Sequence, residues 1–153
     1  MRRTVTMREA AMAAVVVVGL ALTTGGCGGG KPPTKEEYLA RAKDVCTKGN
    51  AELKKSSDEL TAKIPQGQKI SDEQVAAFVK NTVVPMIRKE VHDLRKITPP
   101  KGEKAHLKEI YDALDKGLDD LAADPKKLTT TNVFAHADEL GKQYGISVCA
   151  AAG

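Results

Sequence analysis

Tryptophan is absent from this chain, and aromatic residues make up only 3% of it. Platforms for stacking bases or sugars are therefore scarce. Charge of one sign is also lacking. The chain has 24 Lys+Arg against 20 Asp+Glu, interspersed rather than gathered into a basic stripe, which argues against a nucleic-acid partner. No apolar run reaches the ~20 residues needed to cross hydrocarbon. No segment alternates with period two, so strands are not expected. The chain also lacks a C-x-x-C pair, a C-x-x-C-H haem attachment site, a G-x-S-x-G elbow and an S-x-x-K nucleophile.

The remaining hints of chemistry are weak. Gly25 to Lys31 satisfies G-x-x-x-x-G-K, but Pro32 stands where a phosphate loop needs Ser or Thr. Glu103-x-x-His106 is half of a di-iron signature, with no second copy. His92, His106 and His136 form no i, i+4 chelating pair. Met86 beside Pro85 falls in an apolar stripe and reads as core rather than as a haem ligand. The adjacent carboxylates Glu36-Glu37 and Asp119-Asp120 point to different sides of a helix. The expectation is a protein that is not an enzyme, with no catalytic residue, metal site or cofactor.

What is present begins at the N-terminus. Arg2, Arg3 and Arg8 form a basic start, Ala10 to Leu22 an apolar run, and Thr23 to Gly26 a stretch of small residues leading to Cys27. That is the layout of an export signal. The stretch L-A-L-T-T-G-G-C-G-G-G-K, Leu20 to Lys31, resembles the lipobox of bacterial lipoproteins, in which two small residues precede an obligatory cysteine. Thr24 departs from the pattern, since a branched aliphatic residue is commoner there. The resemblance implies cleavage before Cys27 and acylation of its thiol by palmitate-like chains. Each buried CH2 would contribute about 0.8 kcal/mol of membrane affinity. It places the mature chain at the cell membrane, lipid-anchored on the extracytoplasmic face. Loss of Arg2, Arg3, Arg8 and Glu9 lowers the net charge from +4 to +2.

With Cys27 committed to lipid, two of the three cysteines remain. In an oxidising compartment they are expected to form a Cys46–Cys149 disulfide.

The rest of the chain reads as helices. Gly28 to Pro33 forms a tether. Thr34 and Glu37 make a capping box before an apolar series running from Tyr38 through Ala42 and Cys46 to Ile64, where Pro65 stops it. Gly49 and Asn50 mark either a kink or a close approach by a neighbouring helix. Ser71 and Gln74 cap a second helix, bent at Pro85 and ended before Pro99-Pro100. A third covers about Glu103 to Ala123. Leu128 to Thr131 is expected as a loop, and a fourth helix runs from about Asn132 to Tyr144, with Gly145 as its left-handed cap.

The expected domains are residues 1–26 as signal peptide, 27–33 as lipidated cysteine and tether, and 34–153 as a helical domain. The expected fold is all-α, an up-down-up-down four-helix bundle. It resembles small helical lipoproteins and secreted proteins of high-GC Gram-positive bacteria. That likeness rests on the glycines around Cys27, the first-helix Cys46 and the terminal L-G-x-x-Y-G-I-x-x-C, Leu140 to Cys149. The function expected is a binding or interaction module of the cell envelope, contacting the membrane through its anchor and an envelope protein or ligand. The alternative is a carrier of a small apolar ligand in an inter-helix cavity of several hundred Å3, near Pro85 and Gly49.

Overall fold

The Thr34 hydroxyl accepts a hydrogen bond from Glu37 N at 3.2 Å, and the Glu37 carboxylate accepts one from Thr34 N at 2.9 Å. This reciprocal cap starts α1, Lys35–Ala62. The computed structural model describes residues 31–146. The signal segment, Cys27, the tether glycines and Cys149 lie outside the described residues. Everything described is helix or connection.

A second capping box, Ser71 with Gln74, opens the next helix, with bonds of 2.9 and 3.2 Å. It runs without a break through an α-helical piece Asp72–Phe78, a wide π-helical turn Val79–Val83 and an α-helical piece Val84–Arg95. These pieces together are α2. The wide turn explains how Pro85 is accommodated. Proline has no N–H, and its ring clashes with the carbonyl four residues earlier in a regular α-helix. Here Val84 N donates to Val79 O, five residues back, so the turn before the proline is widened. The expected bend is a local change of helix type, one of the recognised causes of kinks.

The α2–α3 connection is short. Glu103 N donates to Pro100 O at 3.1 Å, and Gly102 has φ 87°, a left-handed value that other residues adopt with strain. α3 spans Lys104–Ala123. Then comes a difference from the expectation. The segment 128–131 was expected as a loop because threonines disfavour helix, yet Lys127–Thr130 forms a single helical turn, α4. The hydroxyls of Thr129 and Thr130 both donate to Lys126 O, at 3.2 and 3.1 Å. Their polar side chains brace the turn rather than breaking it.

α5 spans Ala135–Tyr144, three residues shorter at its start than expected. Asn132 Oδ1 accepts from Phe134 N at 3.1 Å, an Asx-type turn that holds the chain out of the helix. At the other end Gly145 has φ 102°. Ile146 N donates to Gly141 O at 2.8 Å and Gly145 N to Lys142 O at 3.1 Å. This is the Schellman arrangement, with Ile146 buried as its apolar partner.

Two buried clusters hold the helices together. The larger joins Tyr38, Ala42 and Cys46 of α1 to Val91 and Leu94 of α2, to Leu107, Ile110, Tyr111 and Leu118 of α3, and to Tyr144 and Ile146. The smaller joins Val79, Val83 and Val84 of α2 to Leu121 of α3, with Leu53, Val75, Phe78 and Val133 packed against it. A fully buried aliphatic side chain such as Leu118 contributes about 1.5 to 3 kcal/mol. α3 is the central element, packed against α2 and α5. Cross-helix ion pairs, Arg88–Asp119 at 2.6 Å and Arg95–Asp115 at 2.7 Å, are exposed and add about 0 to 1 kcal/mol each.

Gly117 lets the segment leading into α5 approach α3. A Cβ there would lie 2.6 Å from the Phe134 ring and 2.9 Å from Val133 O. A backbone carbonyl cannot swing aside as a side-chain tip can. Gly117→Ala is therefore expected to destabilise the domain by about 1 to 3 kcal/mol, despite alanine's better helix propensity. Urea denaturation of the two proteins measures it, and an unchanged midpoint would contradict it.

Candidate functional site

The residues singled out for chemistry do not converge. His92, His106 and His136 are all exposed. His106 Nδ1 lies 3.5 Å from Glu103 on its own helix, and its ring meets Tyr144 edge-on at 6.3 Å. Among the described residues no group of three or more His, Cys, Asp and Glu side chains is arranged to hold a metal. Met86 is half-buried, with its sulfur 3.8 Å from the Ser56 hydroxyl. Cys46 is wholly buried in the larger cluster, and Cys149 lies outside the described residues. No described helix is long and apolar enough to cross a membrane.

Two polar features stand out instead. The first is a tyrosine cluster where α1 begins, α2 ends, α3 begins and α5 ends. The hydroxyls of Tyr38 and Tyr111 are hydrogen-bonded to each other. The Tyr38 ring meets Tyr144 edge-on at 6.1 Å. Burial raises the pKa of all three, Tyr144 to about 12. Lys35 lies over the Tyr144 ring at 4.3 Å and Arg95 over Tyr111 at 5.5 Å, cation–π contacts that tie charged residues to the cluster's rim. The Tyr144 hydroxyl is buried and has no hydrogen-bond partner among the described residues. These phenols stay neutral at ordinary pH, so the cluster is a structural knot rather than an acid–base device.

The second feature is Glu90. It lies on α2 in the cleft between α1, α3 and α5, where Gly49 of α1 makes room for it. A Cβ at 49 would collide with Glu90 Oε2 and come within 2.8 Å of its Cδ. What comes close at Gly49 is the Glu90 side chain rather than the body of a neighbouring helix, and α1 continues through Gly49 and Asn50. A small cavity of about 40 Å3 opens beside the carboxyl, lined by Gly49, Asn50, Leu53, Met86, Ile87, Glu90, Leu114, Phe134 and Asp138. No hydrogen bond to the Glu90 carboxylate is found among the described residues. Its neighbour Lys89 turns to Asp93 instead, at 2.9 Å. Loss of hydration pushes the Glu90 carboxyl up to about 7, with Lys89 pulling weakly the other way.

That shift has a sign. The folded state holds the proton more tightly than an unfolded chain does, so between pH 4.5 and about 7 the folded state binds more protons and stability falls as pH rises. Below that window both states are protonated and the penalty is absent. Above it the full penalty applies. Because the side chain is partly exposed, solvent screening limits the effect to about 1 to 2 kcal/mol. Glu90→Gln is expected to flatten this part of the stability–pH profile and to be more stable than the parent at pH 8. An unchanged profile in urea melts from pH 4 to 8 would contradict it.

Glu90 was missed in the sequence, although it left a signal there. Met86, Glu90 and Leu94 follow each other at four-residue spacing, so the carboxylate falls within the apolar stripe of α2. Compared with known proteins, the chain matches no family model, no curated protein and no solved structure.

Proposed function

We propose that the chain is a lipid-anchored lipoprotein on the extracytoplasmic face of a membrane, acting as a binding or interaction module without catalysis of its own. The observation that carries this reading is the placement of Cys27. It follows an apolar run and two glycines, and the first helix opens only a short tether later, at Lys35. The helical domain then hangs just outside the bilayer.

The domain is proposed to be an up-down-up-down bundle of α1, α2, α3 and α5. In support, Tyr38 near the start of α1 touches Tyr111 in the first half of α3 and Tyr144 at the end of α5, while Arg95 at the end of α2 reaches Tyr111. At the opposite pole, Leu53, Val75, Leu121 and Val133 share a cluster. The Cys46–Cys149 disulfide belongs to this proposal. Cys46 and Ile146 share the larger cluster, and three further residues of chain span up to about 10 Å, enough to bring Cys149 back to α1. An apolar-ligand carrier is less well supported, because the space beside Gly49 is about 40 Å3 and is bordered by carboxylates.

Protease treatment of intact spheroplasts tests the location. The domain is expected to be degraded without lysis and to partition into the detergent phase beforehand. Protection until lysis, or partition into the aqueous phase, would overturn the reading.

A further inference from the structure

We propose that the Glu90 cleft is a receptor for a primary ammonium group carried on an aliphatic stem. This deepens the binding-module reading by naming a ligand class, and it rests on that reading only for its biological setting.

Three observations carry it. The first is that no counter-charge to Glu90 is found among the described residues. Glu90 is partly buried, and the nearest lysine in sequence, Lys89, is committed to Asp93 at 2.9 Å. The second is the composition of the wall. α1 contributes Gly49, Asn50 and Leu53, and α3 contributes Leu114, none of them charged. Among the described residues the charged lining residues are two carboxylates, Glu90 from α2 and Asp138 near the start of α5. Asp138 is held toward Asn132 Nδ2 at 3.4 Å. The remaining walls, Met86, Ile87 and Phe134, are apolar. The third is size. The space is about 40 Å3, against the roughly 10 to 15 Å3 of probe-occupied volume that one water molecule needs. It admits a group the size of –NH3+ and excludes the body of an apolar ligand. An ammonium head would meet Glu90 there, while its methylene stem would lie along Leu53 and Phe134 toward the open side. Charge-assisted contacts of this kind are stronger than neutral hydrogen bonds, and desolvation by the apolar wall strengthens them further.

Gly49 is then a positioning residue. Any side chain at 49 pushes the Glu90 carboxyl out of its place. The moving group is the tip of a flexible side chain, so Gly49→Ala should leave the fold intact and remove the pocket.

The test is an NMR titration of the isotope-labelled full chain in nonionic detergent, with n-butylammonium chloride as probe and n-butanol as control. Saturable shifts of the Asn50, Leu53 and Leu114 amides are expected with n-butylammonium and not with n-butanol. Glu90→Gln and Gly49→Ala should each weaken binding at least tenfold while keeping the parent's circular dichroism. Binding should also weaken at pH 5.5 relative to pH 8, as Glu90 takes up its proton. Equal shifts with n-butanol, absence of shifts, or undiminished binding in Glu90→Gln would overturn the proposal. A second arm distinguishes the source of the amine. Binding of a lysine blocked at both backbone ends, as tight as that of n-butylammonium, assigns the site to a partner's lysine side chain. Binding of n-butylammonium alone assigns it to a free amine. Neither result depends on acylation of Cys27, so failure here leaves the anchor reading standing, and failure of the anchor leaves the titration unchanged.

Discussion

Cells expressing Cys27→Ala are expected to lose the protein from their membranes and release it to the medium. The size of this effect follows from lipid partitioning. Acyl chains contribute about 0.8 kcal/mol per buried CH2, and two chains make anchoring stable where one gives only marginal binding. Alanine offers no thiol to acylate. The apolar run Ala10 to Leu22 is shorter than the ~20 residues of a transmembrane helix, and no described helix is long and apolar enough to cross a bilayer. Fractionation of cells and medium followed by immunoblotting measures the shift. Wild-type protein is expected almost wholly in the membrane fraction and the variant almost wholly outside it. Equal membrane retention would contradict an anchor at Cys27.

Cys149→Ser is expected to lower stability by about 4 to 5 kcal/mol by the chain-entropy estimate for a loop of roughly 100 residues. In a domain of this size that corresponds to roughly 15 to 20 °C in Tm. Cys149 is the better site for the test. Cys46 is fully buried, so Cys46→Ser would combine loss of the bridge with burial of a hydroxyl, each destabilising for its own reason. Cys149→Ser leaves the Cys46 thiol in its place among Tyr38, Ala42 and Leu118. Thermal melts of wild type with and without reductant supply the control, because reduced wild type should melt with the variant. A variant that melts with oxidised wild type would show that the two sulfurs are not joined.

Most of the helical layout was legible because its signals are local. Thr34–Glu37 and Ser71–Gln74 each form both bonds of a capping box, and Gly145 takes the left-handed conformation that its position after Tyr144 implies. These features depend on residues three or four apart, so spacing alone reveals them. The apolar face of α3 expected from spacing, Leu107, Ile110, Tyr111, Leu114, Leu118 and Leu121, was legible for the same reason: all are buried except Leu114, which is partly buried.

What the spacing did not reveal depends on non-local or competing contacts. Pro85 announced a disturbance in α2, but not that it would take the form of a π turn over Val79–Val83. Thr129 and Thr130 disfavour helix on average, yet here their hydroxyls close a helical turn onto Lys126. The start of α5 shifted because Asn132 bonds locally instead of joining the helix. The cleft itself was the least legible part. Gly49 was noticed on α1, and α2 was read for its apolar residues, but only the packing of the two helices places Glu90 over Gly49. A glutamate on an amphipathic helix ordinarily reads as solvent-facing. Its place in the row between Met86 and Leu94 is the cue that separates it from Glu103 or Glu109.

The chemistry of residue 27 is the most direct point of test. Mass spectrometry of the N-terminal peptide from protein extracted from native membranes tests it in one measurement. The prediction is a mature chain that begins at Cys27, with a mass increment of at least a diacylglyceryl group on the sulfur. A chain that begins elsewhere, or a Cys27 with an unmodified thiol, would contradict the account.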